Sequence, residues 1–131
     1  MELVVSRDAA ALARRAADHF LDRVRAKPDL AMAVPAGRTP RLMYGLLAED
    51  HRQGRVDFSE MRVFSVDELC PPAPPDGYFW RQVRKEFLAW AAVTPERRHP
   101  FRVDRPDLEQ MCREYEEPIA RAGGLALVLL G

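Results

Sequence analysis

Cysteine, lysine and histidine are scarce in this chain, and neither sign of charge dominates it. Cys70 and Cys112 are its two cysteines, far apart and without a further Cys or His at metal-ligand spacing. That argues against a disulfide scaffold or a zinc site and leaves two ordinary buried thiols as the expectation. Twenty basic residues balance twenty acidic ones, so nothing in the bulk charge draws the molecule to nucleic acid or an anionic membrane. Lys27 and Lys85 are the only lysines. The other basic residues are arginines, a compositional bias that says little about any single one. No apolar run approaches the eighteen residues or so of a membrane span, and residues 1–7 carry no positive segment leading into a long apolar one. A cytoplasmic protein with small-molecule or protein partners is expected.

What the chain has in quantity is apolar material. Of 131 residues 47% are hydrophobic, enough to bury the core of a single domain spanning residues 1–131. The most informative stretch is Leu30-Ala31-Met32-Ala33-Val34-Pro35-Ala36-Gly37-Arg38-Thr39-Pro40. A short apolar run reads as a buried strand, Gly37 permits backbone angles closed to other residues, and Thr39 is placed to cap a helix opening at Pro40. Unpaired N–H groups at such a turn hold a phosphate or carboxylate with no lysine required. The same residues would also serve as a plain strand-to-helix connection.

Around this turn the pattern alternates. Residues 3–5 read as a short strand. The spacing of Ala9, Leu12, Ala13, Ala16, Phe20 and Val24 predicts a helix that Pro28 stops. Residues 30–34 form the next strand, and Leu42, Met43, Leu46 and Leu47 mark a helix that Gly54 ends. Residues 61–65 are a third strand, followed by a proline-rich surface loop over 71–77 and a helix over 78–90 with Phe79, Val83, Phe87 and Trp90 on its core side. A further helix is expected over 106–121, broken or kinked after Glu117 by Pro118, and residues 125–130 give the clearest strand of all. Strands alternating with helices imply an α/β fold, a doubly wound, mostly parallel, Rossmann-like sheet. Ligands bind such sheets beyond the carboxyl ends of the strands, which would gather the Gly37 turn, the acidic pair Asp67-Glu68 and Gly131 at one crevice.

Asp67 and Glu68 follow the third strand and form the candidate catalytic pair. A carboxylate beside an anion-binding turn suits a phosphorylated substrate clamped at one end while a carbon-bound proton is moved at the other. An Asp-Glu pair at this place would equally well cap the next element or stand in water. His19 and His51 read as helix-surface residues and His99, before Pro100, as a structural loop residue.

Several motifs in order carry a resemblance: Pro35-Ala36-Gly37-Arg38-Thr39-Pro40, Gly54-Arg55-Val56-Asp57-Phe58, Val63-Phe64-Ser65-Val66-Asp67-Glu68, Arg105-Pro106-Asp107-Leu108-Glu109, Cys112-Arg113-Glu114-Tyr115-Glu116 and Leu127-Val128-Leu129-Leu130-Gly131. Together they resemble the first half of the glucosamine-6-phosphate deaminase and 6-phosphogluconolactonase superfamily. The resemblance implies a sugar-phosphate aldose–ketose isomerase/deaminase in which Asp67 moves a proton between C2 and C1 as ammonia is released. It also implies substrate contacts from Ala36, Gly37, Arg38, Thr39 and Gly131. It calls for no cofactor and no metal. The lactonase branch hydrolyses a phosphorylated sugar lactone and usually places an arginine after the Asp-Glu pair, where this chain has Leu69. That difference and the 112–116 segment favour the deaminase branch. This chain also has Ala36 where a hydroxyl residue is usual, Arg38 where glycine or serine is usual, and Gly77 where serine precedes an aromatic. Gly131 would open a second loop carrying an acid and a histidine; a fold incomplete relative to the family, and a non-catalytic sugar-phosphate-binding module, are therefore further expectations. The strand over 125–130 is expected to be an exposed edge that invites a homo-oligomer.

Overall fold

Residues 3–70, 74 and 76–130 are described by the structure, a computed structural model. Helix α1 (Ala9–Ala26) starts where the Asp8 side chain accepts a 2.7 Å hydrogen bond from the Ala11 N–H and stops just before Pro28. Strand β1 (Ala31–Val34) leads through the Gly37 turn to α2 (Arg41–Arg52), and Gly54, at φ +69°, lies just past that helix. Strand β2 (Arg62–Ser65) follows, then the short helix α3 (Phe79–Val83). A π-helical turn over Arg84–Leu88 extends α3; its Glu86 carbonyl accepts a 2.8 Å bond from the Trp90 indole. Strand β3 (Arg98–His99), helix α4 (Leu108–Arg121) and strand β4 (Leu127–Val128) complete the order.

The four strands form one sheet in the order β3-β2-β1-β4, and every pairing is parallel. The chain therefore moves outward from β1 through β2 to β3, then crosses back to lay β4 on the other side of β1. That reversal is the topological switch point at which α/β sheets hold ligands.

Alternation along β1 sorts the two faces. Met32 and Val34 point into the larger core with α1, α2 and α3, whose centre is a group of edge-to-face rings: Phe20, Phe58 and Phe87 have centroids 5.8 to 5.9 Å apart. Ala31 and Ala33 point the other way with Phe64, against Tyr115, Ile119 and Ala122 on the α4 side. Away from the sheet, buried Asp50 joins α1 to α2 and the loop after it, through Arg14 at 3.0 Å and Arg55. Burial pushes the Asp50 carboxyl up, but the two guanidinium groups outweigh it and hold it below the usual aspartate range.

Several expectations are corrected. Residues 3–5 form no strand, and Leu3 and Val5 stand in solvent because no neighbouring strand pairs with them among the described residues. Thr39 does not cap α2: the position before Arg41 is Pro40, already in helical conformation, and no side chain bonds there. Pro118 does not end α4, which runs on to Arg121; the proline costs the helix one backbone donor without breaking it. The last strand shrinks to Leu127–Val128, although bonds from Ala126 N–H to the Ala31 carbonyl and Leu129 N–H to the Ala33 carbonyl extend its pairing. His99 lies in β3 rather than in a loop, its ring stacked on Phe64 at 4.3 Å. His51 is half-buried, with Nδ1 3.1 Å from the Val56 carbonyl oxygen. Cys70 and Cys112 are both exposed rather than buried, one past a strand end and the other on the outer side of α4. Most of the expected 71–77 loop lies outside the described residues.

Candidate functional site

Val34 pairs with Ser65, so the chain leaves β1 and β2 side by side, about 4.8 Å apart as neighbouring strands are. Two loops rise from those ends. The first contains Ala36, Gly37, Arg38 and Thr39, the second Asp67 and Glu68.

In the first loop Gly37 adopts φ +113°, which L side chains rarely accept. Two carbonyls of the loop are held from within the molecule. The Tyr44 hydroxyl on α2 donates to the Pro35 oxygen at 2.7 Å, and the Gln82 amide on α3 donates to the Gly37 oxygen at 3.3 Å. A trans peptide points its N–H opposite to its C=O. Holding those two oxygens inward therefore turns the N–H groups of Ala36 and Arg38 the other way. Among the described residues no acceptor meets the backbone N–H of Ala36, Gly37, Arg38 or Thr39. The Arg38 and Thr39 side chains are exposed.

The second loop is built in the opposite sense. Glu68 turns its carboxylate onto four backbone N–H groups: Oε1 accepts from Leu69 at 2.9 Å, Tyr78 at 2.9 Å and Phe79 at 3.1 Å, and Oε2 accepts from Trp80 at 3.0 Å. Burial pushes this carboxyl up, but the four N–H bonds prevail and hold it below the usual glutamate range. Gly77 makes the approach feasible. It sits at φ +83°, and a Cβ there would collide with the Glu68 carboxylate. Asp67, one residue earlier, is exposed.

Helix α3 touches both loops. Its first residues bind Glu68, and Gln82 near its end binds Gly37 and, at 3.2 Å, Oε1 of Glu86. Arg41, opening α2, meets the same Glu86 oxygen at 2.7 Å. Neither Tyr44 nor Gln82 was expected as part of the site, and Gly77 was noted only as a departure from the family's usual serine. The spacing of Gln82 and Glu86, four apart on one helix face, and a glycine ahead of Tyr78 were the only available signals.

A cavity of about 450 Å³ opens at the switch point between β1 and β4. Arg38 and Thr39 form its polar rim, and Leu12, Leu42, Leu129 and Leu130 form apolar wall. The residues beside Gly37 and the end of β4 thus share this cavity, but Asp67 and Glu68, expected in the same crevice, do not line it. Gly131 lies outside the described residues. No group of three or more His, Cys, Asp or Glu among the described residues is arranged to hold a metal, and no helix among them is long and apolar enough to cross a membrane.

Comparison with known proteins agrees with this architecture. The family described as glucosamine-6-phosphate isomerases/6-phosphogluconolactonase matches residues 7–131. A glucosamine-6-phosphate deaminase of Halothermothrix orenii is 33% identical over all of this chain and 55% of its own length. Glucosamine-6-phosphate deaminase 2 of Bacillus subtilis is 28% identical, again over the whole chain and 53% of its own length. Among solved structures, a monomeric glucosamine-6-phosphate deaminase superposes with a TM-score of 0.85 at 24% identity, covering 95% of this chain and 52% of that one. The 6-phosphogluconolactonase of Trypanosoma brucei gives 0.69 at 19% identity, covering 90% and 49%. The chain spans about half the length of the relatives it matches.

Proposed function

As a member of the glucosamine-6-phosphate isomerase/6-phosphogluconolactonase family, this chain, we propose, carries the sugar-phosphate end and the proton-transfer carboxylate of an amino sugar phosphate isomerase/deaminase. The observation that carries this is the pairing, among the described residues, of an open set of N–H groups after β1 with an exposed carboxylate after β2, on adjacent parallel strands. In this assignment the turn Ala36–Gly37–Arg38–Thr39 receives the anionic substrate, with Arg38 adding a charged contact. Asp67 takes the proton from C2 of the ring-opened amino sugar and returns it at C1. The C2 iminium so formed is hydrolysed by water, releasing ammonia and the ketose. Glu68, expected from the sequence to share the catalysis, has its oxygens engaged by four N–H groups and serves the loop instead.

Leu69 in place of the arginine usual in lactonases supports the deaminase branch over the lactonase branch. The experiment is an assay of ketose and ammonia from glucosamine 6-phosphate, with 6-phosphogluconolactone as the rival substrate. Asp67→Asn is expected to lower turnover by about 10² to 10⁴, the usual contribution of general acid–base catalysis. Turnover surviving that substitution removes Asp67 from the role, and lactone hydrolysis without ketose formation reverses the branch. Calorimetric binding of glucosamine 6-phosphate without turnover would make this chain a binding module.

A further inference from the structure

We propose that α3 is a brace between the two strand-end loops, with Glu68 and Gln82 as positioning residues that set where the Gly37 turn stands relative to Asp67. The proposal deepens the functional assignment above and rests on it for its meaning, though its geometry is independent of any substrate.

Helix α3 and its π-helical extension span only Phe79–Leu88, too short to be stable alone, so their position must be imposed by what they touch. Glu68 imposes one end. Its carboxylate satisfies the N–H groups of Tyr78, Phe79 and Trp80 together with its own neighbour Leu69, which ties the start of the helix to the residue beside Asp67. Trp80 and Val83, both buried, fix the helix against the larger core. Gln82 then carries the position across to β1 by donating to the Gly37 carbonyl. Because Gln82 also donates to Glu86, whose Oε1 in turn meets Arg41, its amide is held rather than swinging in solvent. The path runs from Asp67's neighbour, through one helix, to the peptide whose N–H belongs to Arg38.

Two consequences distinguish a brace from two unrelated contacts. Loss of Gln82 must loosen the Gly37 turn, and loss of the Glu68 anchor must loosen it too, thirty residues away in sequence. Amide hydrogen exchange reads both without requiring activity. In Gln82→Leu, exchange at Arg41 and Tyr44, whose N–H groups bond to the Arg38 and Pro40 carbonyls at the end of that turn, is expected to rise by about five- to tenfold, as loss of one hydrogen bond implies. In Glu68→Gln, exchange is expected to rise at residues 78–80 and also at Arg41 and Tyr44. Gly77→Ala, which displaces the Glu68 carboxylate without removing its charge, is expected to give the same two-site response. Amides of α1 should be unaffected in all three.

If Glu68→Gln and Gly77→Ala loosen only residues 78–80, α3 transmits nothing and the brace is overturned. A uniform rise that includes α1 overturns it as well, since the residues would then be merely stabilising. Titration of each variant with glucosamine 6-phosphate keeps the two proposals apart. If the intact protein takes up none, the functional assignment falls while the exchange data still decide the brace. Where it binds, Gln82→Leu is expected to weaken binding by about fivefold or more.

Discussion

The two loops at the carboxyl edge of the sheet use one chemical device in opposite ways. After β2, four backbone N–H groups converge on a carboxylate the protein supplies itself, Glu68. After β1, four consecutive N–H groups meet no acceptor among the described residues. The difference teaches how to separate an open run of donors from an internal anchor: what distinguishes them is whether an acceptor of the chain's own is already in place.

The comparison breaks most visibly at the filled cluster. Glu68→Ala is expected to cost about 3 kcal/mol in urea unfolding, far less than four charged hydrogen bonds summed, because the loop can admit water. Its pH signature has a definite sign. A carboxyl held below its ordinary value of 4.5 contributes stability that is fully present above that value. The contribution is lost as pH falls through the lower, folded-state value. Unfolding midpoints followed from about pH 6 to pH 3 should therefore fall less steeply in Glu68→Gln than in the parent. Gly77→Ala should cost about 2 kcal/mol, combining an unfavourable positive φ with displacement of the carboxylate. At the open cluster the effects are smaller. Gly37→Ala also forces a side chain into positive φ, but its Cβ would meet open space, so about 1 kcal/mol is expected by thermal unfolding. Thr39→Ala should change stability by less than about 0.5 kcal/mol, since its side chain caps nothing. It should instead weaken uptake of glucosamine 6-phosphate measured by calorimetry.

Much of this arrangement was legible from residue order. Apolar runs placed β1 and β2, helical spacing placed α1 and α2, and Gly37 marked its turn, because each of those signals is local. What escaped was non-local. Strand β3, two residues long and made of Arg98 and His99, has no apolar pattern; it exists because Phe64 offers a ring and β2 offers an edge. Residues 3–5 misled in the other direction, being apolar with no partner strand. Asp67 and Glu68 looked alike in sequence and differ because a helix begun ten residues later delivers its N–H groups to only one of them. Gln82 carried only the weak mark of its spacing to Glu86, since its role depends on the distance from α3 to β1.

Tyr115 carries a different kind of consequence. From α4, on the far side of the sheet, its hydroxyl lies 2.8 Å from the Ser65 carbonyl oxygen and 3.2 Å from that of His99. Ser65 stands two residues before Asp67, so the tip of the strand that bears the acid rests partly on a residue that never faces the ligand side. One proton serves two claimants there, and any drift in how α4 is seated shifts the balance between them. A screen for altered activity should accordingly return substitutions on the outer helix, and an evolutionary lineage could retune the carboxylate's reach without changing a single residue of either loop.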